Sequence, residues 1–289
     1  MVLASSTVPT PSADDPSERT TTPITRTASP GRTANTGSAA TTGRTASIDL
    51  RAGLPTGDSK RQAVQSMFDA ISGRYDLVNR VMTFGLDTSW RKRTVRALGL
   101  EPNATVLDLA AGTGDLCRDL QRSGYQPIGL DLSMGMLRHA KTTAQLGQAD
   151  VLALPIRTGS VDGVTCGFAL RNFVDLAAFF TELARVVRPG GRIALLDASA
   201  PEQPLLRFGH RIYFGSVVPK IGGLLSDRDA YRYLPKSLGY MPEPEELHRL
   251  IRSAGFSGVQ RQTFLAGSAY LVVGTRIGIP TSKSETSVP

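Results

Sequence analysis

The stretch Val106-Leu-Asp-Leu-Ala-Ala-Gly-Thr-Gly-Asp115 constrains this 289-residue chain more than any other. An apolar run ending in Asp108-Leu109 passes into a turn with two glycines, the pattern of a buried strand that feeds a helix through a loop. Gly112 and Gly114 let the backbone approach a ligand at the carboxyl end of that strand, where open α/β sheets place their ligands. Nineteen residues after Gly112, a second short apolar run stops at Asp131 in Gly129-Leu-Asp131. A carboxylate there can accept both hydroxyl protons of a ribose.

Two details narrow the nucleoside. The dinucleotide fingerprint needs a third glycine three residues after the second, and that position is Cys117. Asp115 opens the following helix, so its carboxylate would occupy the positive terminus that a pyrophosphate uses. The site suits a nucleoside without phosphates. S-adenosylmethionine fits, because its sulfonium and amino groups are cationic and attract a nearby carboxylate.

Apolar runs alternate with helical periodicity along the rest of the chain, which predicts a Rossmann-like, doubly wound, mostly parallel α/β sheet. Strands are expected near Thr105 to Leu109, Pro127 to Leu130, Gly147 to Asp150, Gly163 to Phe168 and Arg192 to Asp197. A later pair near Val259 to Phe264 and Ala269 to Gly274 brings the number to seven. Helices are expected over Leu116 to Ser123, Met134 to Thr143, Leu176 to Val187 and Pro244 to Ala254, with Arg188-Pro-Gly-Gly191 turning the chain into the fifth strand. Val64 to Leu98 reads as a helical N-terminal cover. Residues 201–240, rich in aromatics, glycines and positive charge, read as an inserted substrate-side lid.

The first 60 residues contain no Phe, Tyr or Trp and are dominated by small, polar and basic types, so a disordered tail is expected. Its Arg and Ser/Thr content resembles a transit peptide, but Asp14, Asp15 and Glu18 count against one, leaving a bacterial-type extension. The domain is expected over 61–279 and a flexible tail over 280–289. No run of about 18 apolar residues suggests a transmembrane helix. Most of the formal charge of +8 falls on the folded part. Such a domain can meet an anionic membrane or substrate, whereas its dispersed basic residues give no nucleic-acid signature. Arg91-Lys-Arg93 reads as a solvated helix face. The isolated histidines and the two cysteines, Cys117 and Cys166, show no metal spacing.

On the substrate side, Gly167-Phe-Ala-Leu-Arg-Asn172 ends the fourth strand. Arg171 and Asn172 are expected to point donors into the cleft and hold an oxyanion. Asp150, at the end of the third strand, is a candidate for an adenine amino edge. Methylating a carbon requires an electron-rich ring, most simply by deprotonating a ring hydroxyl. Tyr75, Asp76, His210, Asp229 or an ordered water are the candidate bases.

Several of these segments together carry a resemblance. Met67-Phe-Asp-Ala-Ile-Ser-Gly-Arg-Tyr-Asp-Leu-Val-Asn79, the glycine turn, Gly167-Phe-Ala-Leu-Arg-Asn172 and Asp229-Ala-Tyr-Arg-Tyr-Leu-Pro-Lys-Ser237 resemble the ubiquinone/menaquinone biosynthesis C-methyltransferases. These are class I S-adenosylmethionine enzymes that methylate polyprenyl quinols. The resemblance implies that Thr113, Asp131, Asp150 and Val151 bind the cofactor, beside Asp108, Gly112, Gly114 and Gly167. It implies catalytic roles for Arg171, Asn172 and Tyr75 and a demethylmenaquinol-like substrate. It also implies a cytoplasmic protein with peripheral contact at the inner membrane face, through the basic and apolar segment Leu205 to Leu225. A methyltransferase for another quinol or a soluble small molecule, and a non-catalytic cofactor-binding scaffold, are the alternatives.

Overall fold

The computed structural model describes residues 56–201, 203, 207, 208, 233 and 236–278. Residues 1–55 of the tail expected over 1–60, most of the expected lid, and the bases His210 and Asp229 lie outside the described residues. So does the segment Leu205 to Leu225, except Arg207 and Phe208.

Three helices come first: α1 (Gly57–Ile71), α2 (Tyr75–Met82) and α3 (Leu86–Leu98). The boundary drawn at residue 60 therefore falls inside α1, where Lys60 is already buried. The sheet follows as β1 (Thr105–Leu109), β2 (Gln126–Asp131), β3 (Gln145–Gln148), β4 (Val161–Gly167), β5 (Val187–Ala198), β6 (Phe256–Phe264) and β7 (Ala269–Arg276). Their order is β3-β2-β1-β4-β5-β7-β6; β1 to β5 pair in parallel, and β7 alone runs in the opposite direction, antiparallel to both β5 and β6. The expected seven-stranded α/β sheet is present, and its order reverses beside β1.

Each crossover helix starts on a local signal. In α4 (Asp115–Arg122) it is Gly114, held in the left-handed region at φ 80°. For α5 (Met134–Arg138), the Ser133 side chain accepts the Met136 amide, and for α6 (Leu176–Val186), Asp175 accepts the Ala178 amide. Pro244 opens α7 (Pro244–Ser253), with Glu245 and Glu246 in its positive first turn.

The core has two layers. Val106, Ala194, Leu196 and Leu271 pack under Trp90, Val95 and Leu98 of α3 and Leu116 and Leu120 of α4. On the opposite face, Leu107, Leu109, Val164 and Leu195 meet Phe179, Phe180 and Leu183 of α6 and Leu247 and Ile251 of α7. A small third cluster of Val64, Met67, Ile71, Met136 and Tyr233 seats α1.

Several boundaries differ from expectation. Helix α5 stops at Arg138 rather than Thr143, because the chain turns back so that the Lys141 amide donates to the Thr113 carbonyl (3.0 Å). Strand β3 ends at Gln148, leaving Asp150 in the following loop. The Arg188–Gly191 run lies within β5 as a bulge, where the pairing with β4 jumps from Val161↔Val187 to Gly163↔Arg192. Strand β6 starts at Phe256 because Phe256 already pairs with Arg276.

Arg91 is not on a solvated face. It is buried among Asp87, Asp115 (3.1 Å) and Asp119 (3.3 Å), because three carboxylates from α3 and α4 need a shared counter-charge. Removing one member of such a cluster leaves buried charge uncompensated. Arg91→Met is expected to lower the unfolding free energy by about 3–5 kcal/mol in urea titrations. A loss below about 1 kcal/mol would show that the cluster does not tie α3 to α4.

Candidate active site

The carboxyl ends of β1, β2 and β4 open into one cleft of roughly 1110 Å³, its open mouth included, large enough for a drug-sized ligand. Of the expected cofactor residues, Asp108, Gly112, Thr113, Asp131, Asp150, Val151 and Gly167 line it; Gly114 does not and instead opens α4. Tyr75 and Asn172 line it too.

Asp131 joins two of the loops that bound the cleft. Its Oδ2 accepts the Gly112 amide (2.8 Å) and its Oδ1 the Ser133 amide (2.7 Å). Gly112 has φ 56°, and no atom approaches the position of a Cβ there, so the turn presents bare backbone to the cleft. Each carboxylate oxygen has two acceptor sites, so one remains on each for a diol. Burial raises the pKa of Asp131 despite the two amides.

Asp108 lies behind the turn, accepting from Thr165 Oγ1 (2.9 Å) and Cys117 Sγ (3.3 Å). Burial pushes its pKa up to about 7. The helix terminus beside it belongs to Asp115, whose charge is shared by Arg91 and Arg118. Two carboxylates, bare glycine backbone and the apolar walls of Val64, Phe68, Leu132, Met136 and Val151 fit a cationic nucleoside. A phosphate would meet Asp115 at the start of α4.

The N-terminal cover is clasped to the loops around this cleft. Thr113 Oγ1 donates to Asp76, which also pairs with Lys141 (3.4 Å). Asp69 accepts Ser133 Oγ (2.6 Å) and the Gly135 amide (2.8 Å). A Cβ on Gly135 would stand 2.9 Å from the Asp69 Cα, so only glycine lets α5 approach α1 this closely. Gln65 donates to the Leu132 carbonyl (3.1 Å), and Arg61 pairs with Asp150 (2.8 Å), whose other oxygen accepts the Leu152 amide. Lys60 donates to the Phe173 carbonyl (2.7 Å) under the Tyr240 ring, and desolvation lowers its pKa to about 8.

Arg171 stands differently from its sequence reading. Its guanidinium does not line the cleft; it is buried, paired with Asp197 and bonded to Ser237 Oγ (3.1 Å). Burial opposes its charge, while Asp197, Tyr75 and Tyr233 favour it, and the net pKa is raised. The reason is Asp197, a fully buried carboxylate at the end of β5 that needs a cation. Asn172 does reach the cleft, and its Oδ1 accepts from Tyr233 Oη (3.3 Å). Sequence reasoning missed Asp197, Tyr233, Asp69 and Arg61. Asp197 carried a signal, a carboxylate ending a buried strand.

A doubly wound sheet with a glycine turn, a strand-end carboxylate and an acidic cleft at the switch point defines a class I S-adenosylmethionine-dependent methyltransferase. Residues 56–276 match the model of the ubiE/COQ5 methyltransferase family, and the chain belongs to that family. A relative from Roseiflexus castenholzii, named demethylmenaquinone methyltransferase, is 41% identical over 236 residues, covering 78% of this chain and 98% of its own. One of the same name from Thermus thermophilus is 40% identical, covering 73% of this chain and all of its own. The Syntrophotalea carbinolica ubiquinone/menaquinone biosynthesis C-methyltransferase is 37% identical, covering 74% and 94%. Among solved structures, a SAM-dependent methyltransferase from Thermotoga maritima superposes with TM-score 0.54 at 18% identity, covering 73% of this chain and 99% of its own. Phosphoethanolamine N-methyltransferase 2 of Haemonchus contortus, in complex with S-adenosylmethionine, gives 0.50 at 13% identity, covering 66% and 53%. Both share the fold.

The raised pKa of Asp108 has a signed consequence. In the folded chain the carboxyl keeps its proton up to about pH 7, whereas unfolded it releases it near pH 4. Its stabilising contribution is therefore complete below about pH 4 and lost as the pH rises through 7. In urea titrations across that window, Asp108→Asn should gain stability relative to wild type as the pH rises. A difference that stays constant with pH would contradict the buried, proton-holding carboxyl.

Proposed function

We propose that this chain methylates a ring carbon of a polyprenyl quinol, with demethylmenaquinol as acceptor, in menaquinone biosynthesis. The observation that carries this reading is a single cleft lined both by Asp131, Gly112, Thr113, Asp150 and Val151 and by Tyr75, Asn172, Phe68 and Phe173. The names of relatives at about 40% identity, which match nearly their whole length, support the choice of quinol.

When bound, S-adenosylmethionine supplies the electrophilic methyl carbon. Asp131 holds the ribose diol, with Gly112, Thr113, Asp150 and Val151 bounding the nucleoside and Asp108 and Gly167 behind it. The cationic centre is favoured by the negative charge of Asp131. The chain's remaining work is alignment and activation of the acceptor. A quinol carbon becomes nucleophilic when a hydroxyl on its ring gives up its proton. Tyr75 is assigned to relay that proton to solvent. The resulting oxyanion is held by the Asn172 amide. The ring carbon, once it carries the methyl group and S-adenosylhomocysteine has left, loses its own hydrogen as a second proton to solvent, which restores the aromatic ring. Arg171 acts one residue back: paired with Asp197, it fixes the turn that carries Asn172 rather than touching the ring. The apolar residues Val64, Phe68, Met136 and Phe173 exclude water from the reacting carbon. A polyprenyl tail implies work at a membrane surface, at the inner face in this reading. Among the described residues no helix is long and apolar enough to cross a membrane.

The test is transfer of labelled methyl from S-adenosylmethionine to a short-chain demethylmenaquinol under reducing conditions. A methylated quinol in stoichiometry with S-adenosylhomocysteine is expected. Cofactor binding without transfer to this quinol would overturn the acceptor assignment, and transfer to a soluble phenol instead would redirect it.

A further inference from the structure

Tyr233 and Ser237 do not line the cleft, yet both bond to residues of the turn that carries Asn172 into it. Both are fully buried. Tyr233 Oη donates to Asn172 Oδ1 (3.3 Å), and Ser237 Oγ accepts from Arg171 Nε (3.1 Å). Tyr233 and Ser237 thus grip two consecutive residues of the 3-10 turn Leu170–Asn172. From the other side Asp197 holds the same turn, accepting both the Arg171 amide (3.2 Å) and its guanidinium.

The grip divides the work of the Asn172 side chain. With Oδ1 committed to Tyr233, the amide nitrogen, which has two N–H donors and no acceptor among the described residues, is the polar group left to the cleft. An oxyanion needs donors, and a flipped amide would offer it an acceptor instead. Tyr233 is walled by Val64, Met67, Ile71 and Met136, so its hydroxyl has a fixed position. Burial raises its pKa, so it stays a donor. Donation into Oδ1 also polarises the amide and strengthens its own donors.

The geometry points to Tyr233 as a positioning residue that acts through Asn172, locking the amide so that its N–H groups face the quinol oxygen. This rests on the reading of the cleft as a quinol methylation site. It adds a residue that touches neither substrate nor cofactor.

A double-mutant cycle on full-length protein tests it, with labelled methyl transfer to short-chain demethylmenaquinol as readout. Asn172→Ala is expected to lower kcat by about 10². Tyr233→Phe, which removes one oxygen atom, is expected to lower kcat about tenfold, with KM for the quinol and Kd for S-adenosylmethionine within about twofold of wild type. In the Asn172→Ala background, Tyr233→Phe should cost nothing further, because there is no amide left to orient. Asn172→Ser serves as the second background if the alanine variant does not fold. The same tenfold loss in both backgrounds, or no loss from Tyr233→Phe alone, overturns the inference. Wild type that binds cofactor but methylates no quinol overturns the functional reading and this inference with it.

Discussion

One carboxylate joins the parts on which this site depends. Asp131 accepts the amide of Gly112 from the turn after β1 and the amide of Ser133 from the start of α5. Those two loops come from neighbouring parallel strands, and nothing in the β1–β2 ladder itself fixes how they close over the strand ends. Charge-assisted hydrogen bonds are stronger than neutral ones, so the pair ties the two loops together at the strand ends, where the proposed ribose site lies. The cost is burial of a charge, visible in its raised pKa. Such a site favours a ligand that brings hydroxyl donors and positive charge.

The second wall is built by a different device. Residues of α1 and α2 reach the loops after β1, β2 and β3 with polar side chains: Asp76 to Thr113, Asp69 and Gln65 to the residues after Asp131, and Arg61 to Asp150. Lys60 does the same for the turn after β4. The apolar cluster beneath α1 is small, so the register of the cover on the sheet is set largely by these bonds. They bring Tyr75 and Phe68 into the cleft that Asn172 and Phe173 also line.

How far the sequence could be read follows from where each interaction lies along the chain. The alternation of strands and helices, the glycine turn and the spacing to Asp131 are local patterns, and they appear in the structure with ends shifted by a few residues. The short α5 was not legible, because it is ended by a backbone bond between Lys141 and Thr113. The surroundings of Arg91 and Arg171 were not legible either. Asp87 lies one turn from Arg91, but Asp119 and Asp197 stand 28 and 26 residues from Arg91 and Arg171, and only the folded chain brings them within reach. Tyr233 was visible only as part of a restrictive segment, since its partner Asn172 is 61 residues earlier.

The claim that Asp131 both closes the cleft and holds the ribose is tested most directly by titration calorimetry of S-adenosylmethionine into wild type and Asp131→Ala. Loss of two hydrogen bonds to a charged group, each worth about 1.5–3 kcal/mol, predicts an affinity at least about 10²-fold weaker in a variant that remains folded. A folded variant that binds within about twofold of wild type would contradict the account.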